Sequence, residues 1–143
     1  MPYRFIEDEA TADVAFEAWG DDLNVVFRDS GNALTGVMIE NPEAIVPRDS
    51  RQIDLSHDQL DLLLYNFLDQ LIYYKDTEQL ILLVQDVFVQ HSDAFWQIRA
   101  VVSGEPLDPS RHHQVVDVKA VTLHDFRLVQ SGNQWRSHVI LDI

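Results

Sequence analysis

The stretch that most constrains this chain is "LDLLLYNFLDQLI". Leu60, Leu63, Leu64, Phe67, Leu68, Leu71 and Ile72 recur at helical spacing and make one wide apolar stripe. A helix with such a stripe must bury it. The runs that follow are of another kind: "QLILLVQDVFVQ", "AFWQIRAVVSG", "VVDVKAVTL", "DFRLVQ" and "QWRSHVILDI" read as strands separated by turns. The chain is therefore expected to be an α+β domain, with helices packed on a mostly antiparallel sheet.

The first part fits that plan. In "ATADVAFEAW", Ala12, Val14, Phe16 and Ala18 alternate with Thr11, Asp13, Ala15 and Glu17, the period of a strand with one apolar face. A first helix follows, capped by Asp21 or Asp22, with Leu23, Val26, Phe27, Leu34, Val37 and Met38 on its stripe. Gly31 inside it costs about 1 kcal/mol and predicts a bend or an interruption. Pro42 and Pro47 mark a connection, "RQIDL" a short strand, and Ser56 with Gln59 a capping box for the second helix. Lys75 sits near the negative end of that helix. "QLILLVQDVFVQ" and "AFWQIRAVVSG" form a hairpin across "HSD", and "GEPLDPSRHHQ" reads as a turn-rich loop carrying His112 and His113.

Size and composition narrow the possibilities further. The 143 residues suit one domain spanning 1–143. Cysteine is absent, which excludes disulfides, thiolate metal sites and thiol catalysis. No apolar run approaches the roughly 20 residues of a membrane helix, and the start resembles no targeting peptide, so the expected location is cytoplasmic. Asp and Glu total 24 against 10 Lys and Arg, a formal net charge of −14. Phosphate backbones repel such a chain, so direct nucleic-acid binding is not expected; a basic protein partner or bound cations fit better. The acids are 17 Asp and 7 Glu, and the only lysines are Lys75 and Lys119. That balance suits either a salty cytoplasm, where screening is short-ranged, or simply an acidic domain.

Two aspartates stand out. In "QWRSHVILDI", Asp142 falls on the less apolar face, as Asp13 does in its strand. Were those strands neighbours, the carboxylates would meet, and a pair so placed repels unless a cation lies between. With the α-carboxylate of Ile143, such oxygen donors favour Ca²⁺ or Mg²⁺ over zinc. The ordinary alternative is a pair of solvated strand-end charges. No phosphate cradle, nucleophile elbow or Cys–His pair accompanies them.

The order and spacing of "TADVAFEAWG", "LLLYNFLDQLIYYKDTE", "GEPLDPSRH", "VKAVTLHDF" and "WRSHVILDI" resemble the archease family over almost the whole chain. The resemblance implies a small α+β protein that is not itself an enzyme. It would assist an RtcB-type RNA ligase in tRNA splicing, promoting guanylylation and repeated turnover. It also implies a divalent metal, most commonly calcium, held by Asp13, Asp142 and Ile143. Lys119, Thr122 and His124 lie in the family-like strip "VKAVTLHDF" and are candidate partner contacts, although a structural role suits each as well. Glu9-Ala10 stands where relatives often have Asp-His. Asp76 and Glu78 either approach the metal or the partner, or form a solvated helix end. Two other classes stay open: a metal-dependent phosphoesterase using Asp13 and Asp142, and a general chaperone-like binding module, which would need an exposed apolar patch.

Overall fold

The computed structural model describes residues 3–6 and 13–143. Glu9 and Ala10 lie outside the described residues. The elements run β1 (Tyr3–Ile6), β2 (Asp13–Gly20), α1 (Leu23–Met38), a 3₁₀ turn (Pro42–Ala44), β3 (Asp49–His57), α2 (Leu60–Glu78), β4 (Leu80–Ser92), β5 (Phe95–Pro106), β6 (Ala120–Val121), β7 (Arg127–Ser131) and β8 (Gln134–Asp142). Among the described residues the class is α+β with two helices, as expected, but the strands make two antiparallel sheets instead of one. One has the order β1-β2-β8-β6, with β7 also on β8; the other is β3-β5-β4.

A continuous core joins the layers. Phe16 of β2 and Val139 and Leu141 of β8 meet Phe27 and Leu34 of α1, while Leu63, Phe67 and Leu68 of α2 pack with Ile98 and Val102 of β5. The Phe27 and Phe67 rings, 6.1 Å apart, join the two helices. The α2 stripe is buried as its spacing requires, with Leu60 at its half-buried end.

Helix α1 starts at Asp22, whose carboxylate accepts from the Val25 amide. It then runs unbroken through Gly31. A Cβ there would stand 2.5 Å from Val84 Cγ2, so the glycine serves close approach of α1 to β4 and not a bend. The polar side of the same helix faces the free edge of β4. Asn24 Oδ1 accepts from the Val89 amide, Asn32 Oδ1 accepts from the Val84 amide, and the Thr35 hydroxyl donates to the Leu82 carbonyl. These bonds satisfy backbone groups that a sheet edge otherwise leaves exposed.

Two local expectations need correction. Ser56 is not a helix cap: it pairs with Gln97 inside β3, and α2 is entered from Gln59, which makes no side-chain cap bond. The extended pairing of β3 with β5 outcompetes the cap. "VVDVKAVTL" is mostly not strand; only Ala120 and Val121 pair in the sheet. The chain there is held by other bonds: the Val115 amide donates to the Met38 carbonyl, and Asp117 is drawn to Lys75.

Candidate functional site

The central geometry is one strand pairing. β2 and β8 run antiparallel with Asp13 directly opposite Asp142, Val14 opposite Leu141 and Phe16 opposite Val139. Val14, Phe16, Val139 and Leu141 turn toward the core, so alternation places Asp13 and Asp142 on the outward face. Like charges directly opposite each other in a sheet are destabilising. None of the ion pairs among the described residues involves either carboxylate.

Strand β6 completes the neighbourhood. Ala120 lies opposite Asp142, the Lys119 amide donates to the Asp142 carbonyl, and the Thr122 amide donates to the Ile140 carbonyl. Lys119 and Thr122 therefore flank the Asp142 end of β8. The Lys119 side chain is exposed, whereas the Thr122 hydroxyl is occluded with no hydrogen-bond partner among the described residues. His124 stands apart, exposed in the following turn beside Asp125.

The donor set suits a hard cation: two opposed carboxylates, the main-chain oxygens of Ile143 beside them, and no cysteine anywhere in the sequence. Among the described residues no three His, Asp or Glu side chains converge, so an ion here would need main-chain or solvent oxygens as well. Asp76 and Glu78 are committed elsewhere. Asp76 pairs with Lys75 and Glu78 with Arg51.

Further along the same face, Glu17 accepts from Arg4 and Arg136, which hold its carboxyl below the usual range against the opposing effect of burial. The Arg136 guanidinium also lies 5.3 Å over the Trp19 ring.

A second polar cluster escaped the sequence reading. Within "GEPLDPSRH" the Glu105 carboxylate is buried and accepts from both Arg111 guanidinium nitrogens, the Val46 amide and the His112 ring. The Arg111 bonds, followed by the Val46 amide, lower its pKa to about 2. His112, expected as an ordinary loop residue, is fully buried, and its Nδ1 accepts from the Asp108 amide. Asp108 itself accepts from the Ser110 amide and hydroxyl. Gly104 is needed here too, since a Cβ would fall on the Ile81 carbonyl oxygen. The cluster is a lock on the loop. The sequence signal for it was an acid, an arginine and a histidine within one short turn-rich stretch.

Lys75 is a similar anchor. It is buried at the end of α2 and bonds Asp76 and Asp117, each at 2.6 Å. Burial opposes its charge, but the two carboxylates more than offset this and raise its pKa.

Comparison with known proteins adds the family context. The Archease protein family (MTH1598/TM1083) matches residues 3–143. The chain is 30% identical over 141 residues to protein archease of Pyrococcus abyssi, covering 98% of this chain and 99% of that one. It is 31% identical over 136 residues to protein archease of Pyrococcus furiosus, covering 94% and 95%. In three dimensions it is similar to the solution structure of Methanobacterium thermoautotrophicum protein 1598, with a TM-score of 0.85, 27% identity and 99% of each chain covered. It also matches a Thermotoga maritima archease, described as a possible chaperone, with a TM-score of 0.61 over 96% of each chain. At 13% identity that likeness speaks for the fold alone.

Proposed function

The chain belongs to the archease family, and from that membership we propose that it is a non-catalytic accessory protein of an RtcB-type RNA ligase. In this reading it promotes guanylylation of the ligase and its repeated turnover in tRNA splicing. The supporting observation is the direct opposition of Asp13 and Asp142 on the outward face. Asp13, Asp142 and the main-chain oxygens of Ile143 would hold a divalent ion, with Ca²⁺ best suited to an all-oxygen set. There Asp13 and Asp142 would be neutralised by the positive charge that such an ion supplies, and the end of β8 would be braced against β2. Lys119 and Thr122, beside Asp142, and the exposed His124 are the proposed ligase contacts. The net charge of −14 favours a basic docking surface on the ligase over direct RNA contact.

The test is multiple-turnover RNA ligation by a cognate RtcB-type ligase with and without this protein, together with the rate of ligase guanylylation. Asp13→Ala and Asp142→Ala, verified as folded, should lose the stimulation. An unchanged guanylylation rate on adding wild type would remove this reading.

One further reading has an observation behind it. Phe88 and Phe95 are exposed on the outer side of β4 and β5, and Phe88 borders a groove of about 430 Å³ with Asp54, Gln90, Gln97 and Arg99. A chaperone-like module would use such a surface. Suppressed aggregation of unrelated clients, lost in Phe88→Ser with ligase stimulation intact, would favour it. A phosphoesterase would instead require metal-dependent turnover by the purified chain.

A further inference from the structure

The two edges of the three-stranded sheet are treated differently. At β4, Asn24, Asn32 and Thr35 of α1 bond the outward backbone groups, as described above. The opposite edge is β3, nine residues without proline. Its register with β5 is continuous from Asp49↔Gly104 to His57↔Trp96, with no bulge to twist it away. Among the described residues no strand pairs with its outer side. A long, regular, open edge is a template for another strand, which folded proteins ordinarily blunt.

We propose that β3 is a self-association edge, through which two copies of this chain pair antiparallel about a two-fold axis at Ile53. The two three-stranded sheets then form one of six strands. The sequence of β3 selects this register. Helices must stay on one side of a joined sheet, so each residue must face a residue of the same parity. Pairing about Ile53 uses the whole strand and sets Asp49 of one copy opposite His57 of the other, Ser50 opposite Ser56, Arg51 opposite Leu55, and Gln52 opposite Asp54. No like charges face each other. Shifting the axis to Asp54 puts that carboxylate opposite itself and Arg51 opposite His57. Shifting it to Gln52 leaves His57 unpaired and sets Asp49 against Leu55. The charges on the edge are already engaged within each copy: Arg51 donates to Glu78 and to the Ser50 carbonyl, and Asp54 accepts from Gln52 and pairs with Arg99.

The experiment is sedimentation equilibrium of the full chain up to millimolar concentration, at low and at molar NaCl. A monomer–dimer equilibrium is expected. It should tighten with salt, because each copy carries a net charge of −14. Gln52 is exposed on the outer face, opposite Val101 of β5, so its replacement leaves the fold intact. Gln52→Asp should weaken the dimer by about tenfold through two symmetric like-charge pairs, and Gln52→Lys should strengthen it by a similar factor. Backbone amides of β3 should exchange more slowly as dimer forms. A chain monomeric at every concentration and salt overturns the proposal, as does a dimer indifferent to both substitutions. Protection of β3 amides only on adding an RtcB-type ligase would also overturn it, assigning the edge to a strand of that protein.

Discussion

Asp13 and Asp142 are direct partners in the β2–β8 ladder, two carboxylates on the outward face of one sheet with no cationic side chain paired to either among the described residues. Like charges directly opposite each other in a ladder are mutually destabilising. On the proposed ion site, the stability of this end of the ladder should respond to calcium.

Asp142→Asn removes the like-charge pair. In chelator the variant should match or exceed wild type in thermal stability, by up to about 1 kcal/mol. With Ca²⁺ at a hundredfold excess over its dissociation constant, wild type should gain about 2.7 kcal/mol and overtake it. Thermal melts with and without calcium would show this crossing. A wild-type melting temperature indifferent to Ca²⁺ would count against the ion site.

The Glu105 cluster should govern acid stability. Its carboxyl titrates near 2 when folded and near 4.5 when unfolded. Its contribution is therefore complete above about pH 4.5 and is lost as pH falls toward 2. Glu105→Gln keeps the shape but removes the charge, so its stability deficit against wild type should shrink across that window. Glu105→Ala should cost about 3 kcal/mol at neutral pH, because Arg111 and His112 lose their common partner. Denaturant unfolding at several pH values measures both effects.

Gly31→Ala sets two effects against each other. Helix propensity favours alanine by about 1 kcal/mol. The added methyl would stand 2.5 Å from Val84 Cγ2 and 3.2 Å from Leu71 Cδ1, and overpacking costs about 1–3 kcal/mol. A net loss of about 1 kcal/mol is expected in urea unfolding. A stabilised variant would mean that α1 stands off from β4.

Asn32→Ala leaves the Val84 amide without its acceptor at a part-buried edge. A cost of about 1–2 kcal/mol should follow, with faster hydrogen exchange at Val84 than at β4 amides bonded to β5. Equal exchange at both would argue that solvent already serves this edge.

Much of the local structure was legible in the residues themselves. The spacing of Leu63, Leu64, Phe67, Leu68, Leu71 and Ile72 demanded a helix with one buried face, and they are buried. Alternation around Asp13 and Asp142 put both on the less apolar side of their strands, because side-chain direction in a strand follows a strict period of two. Period alone carries no information on which strands are neighbours. The Asp13–Asp142 opposition exists because β8 returns beside β2, across more than a hundred residues of intervening chain. The errors have the same origin. Ser56 has a cap's spelling, but the β5 ladder keeps it extended. Gly31 looks like a helix breaker until β4 is seen against it. Glu105, Arg111 and His112 read as loop polarity, and folding the loop onto Val46 buries Glu105 and His112, with the exposed Arg111 bonded to the Glu105 carboxylate. Short-range sterics and hydrophobic period determine elements and faces. Partnership between distant groups is decided only when the elements pack, since that is where burial forces each polar group to find its counterpart.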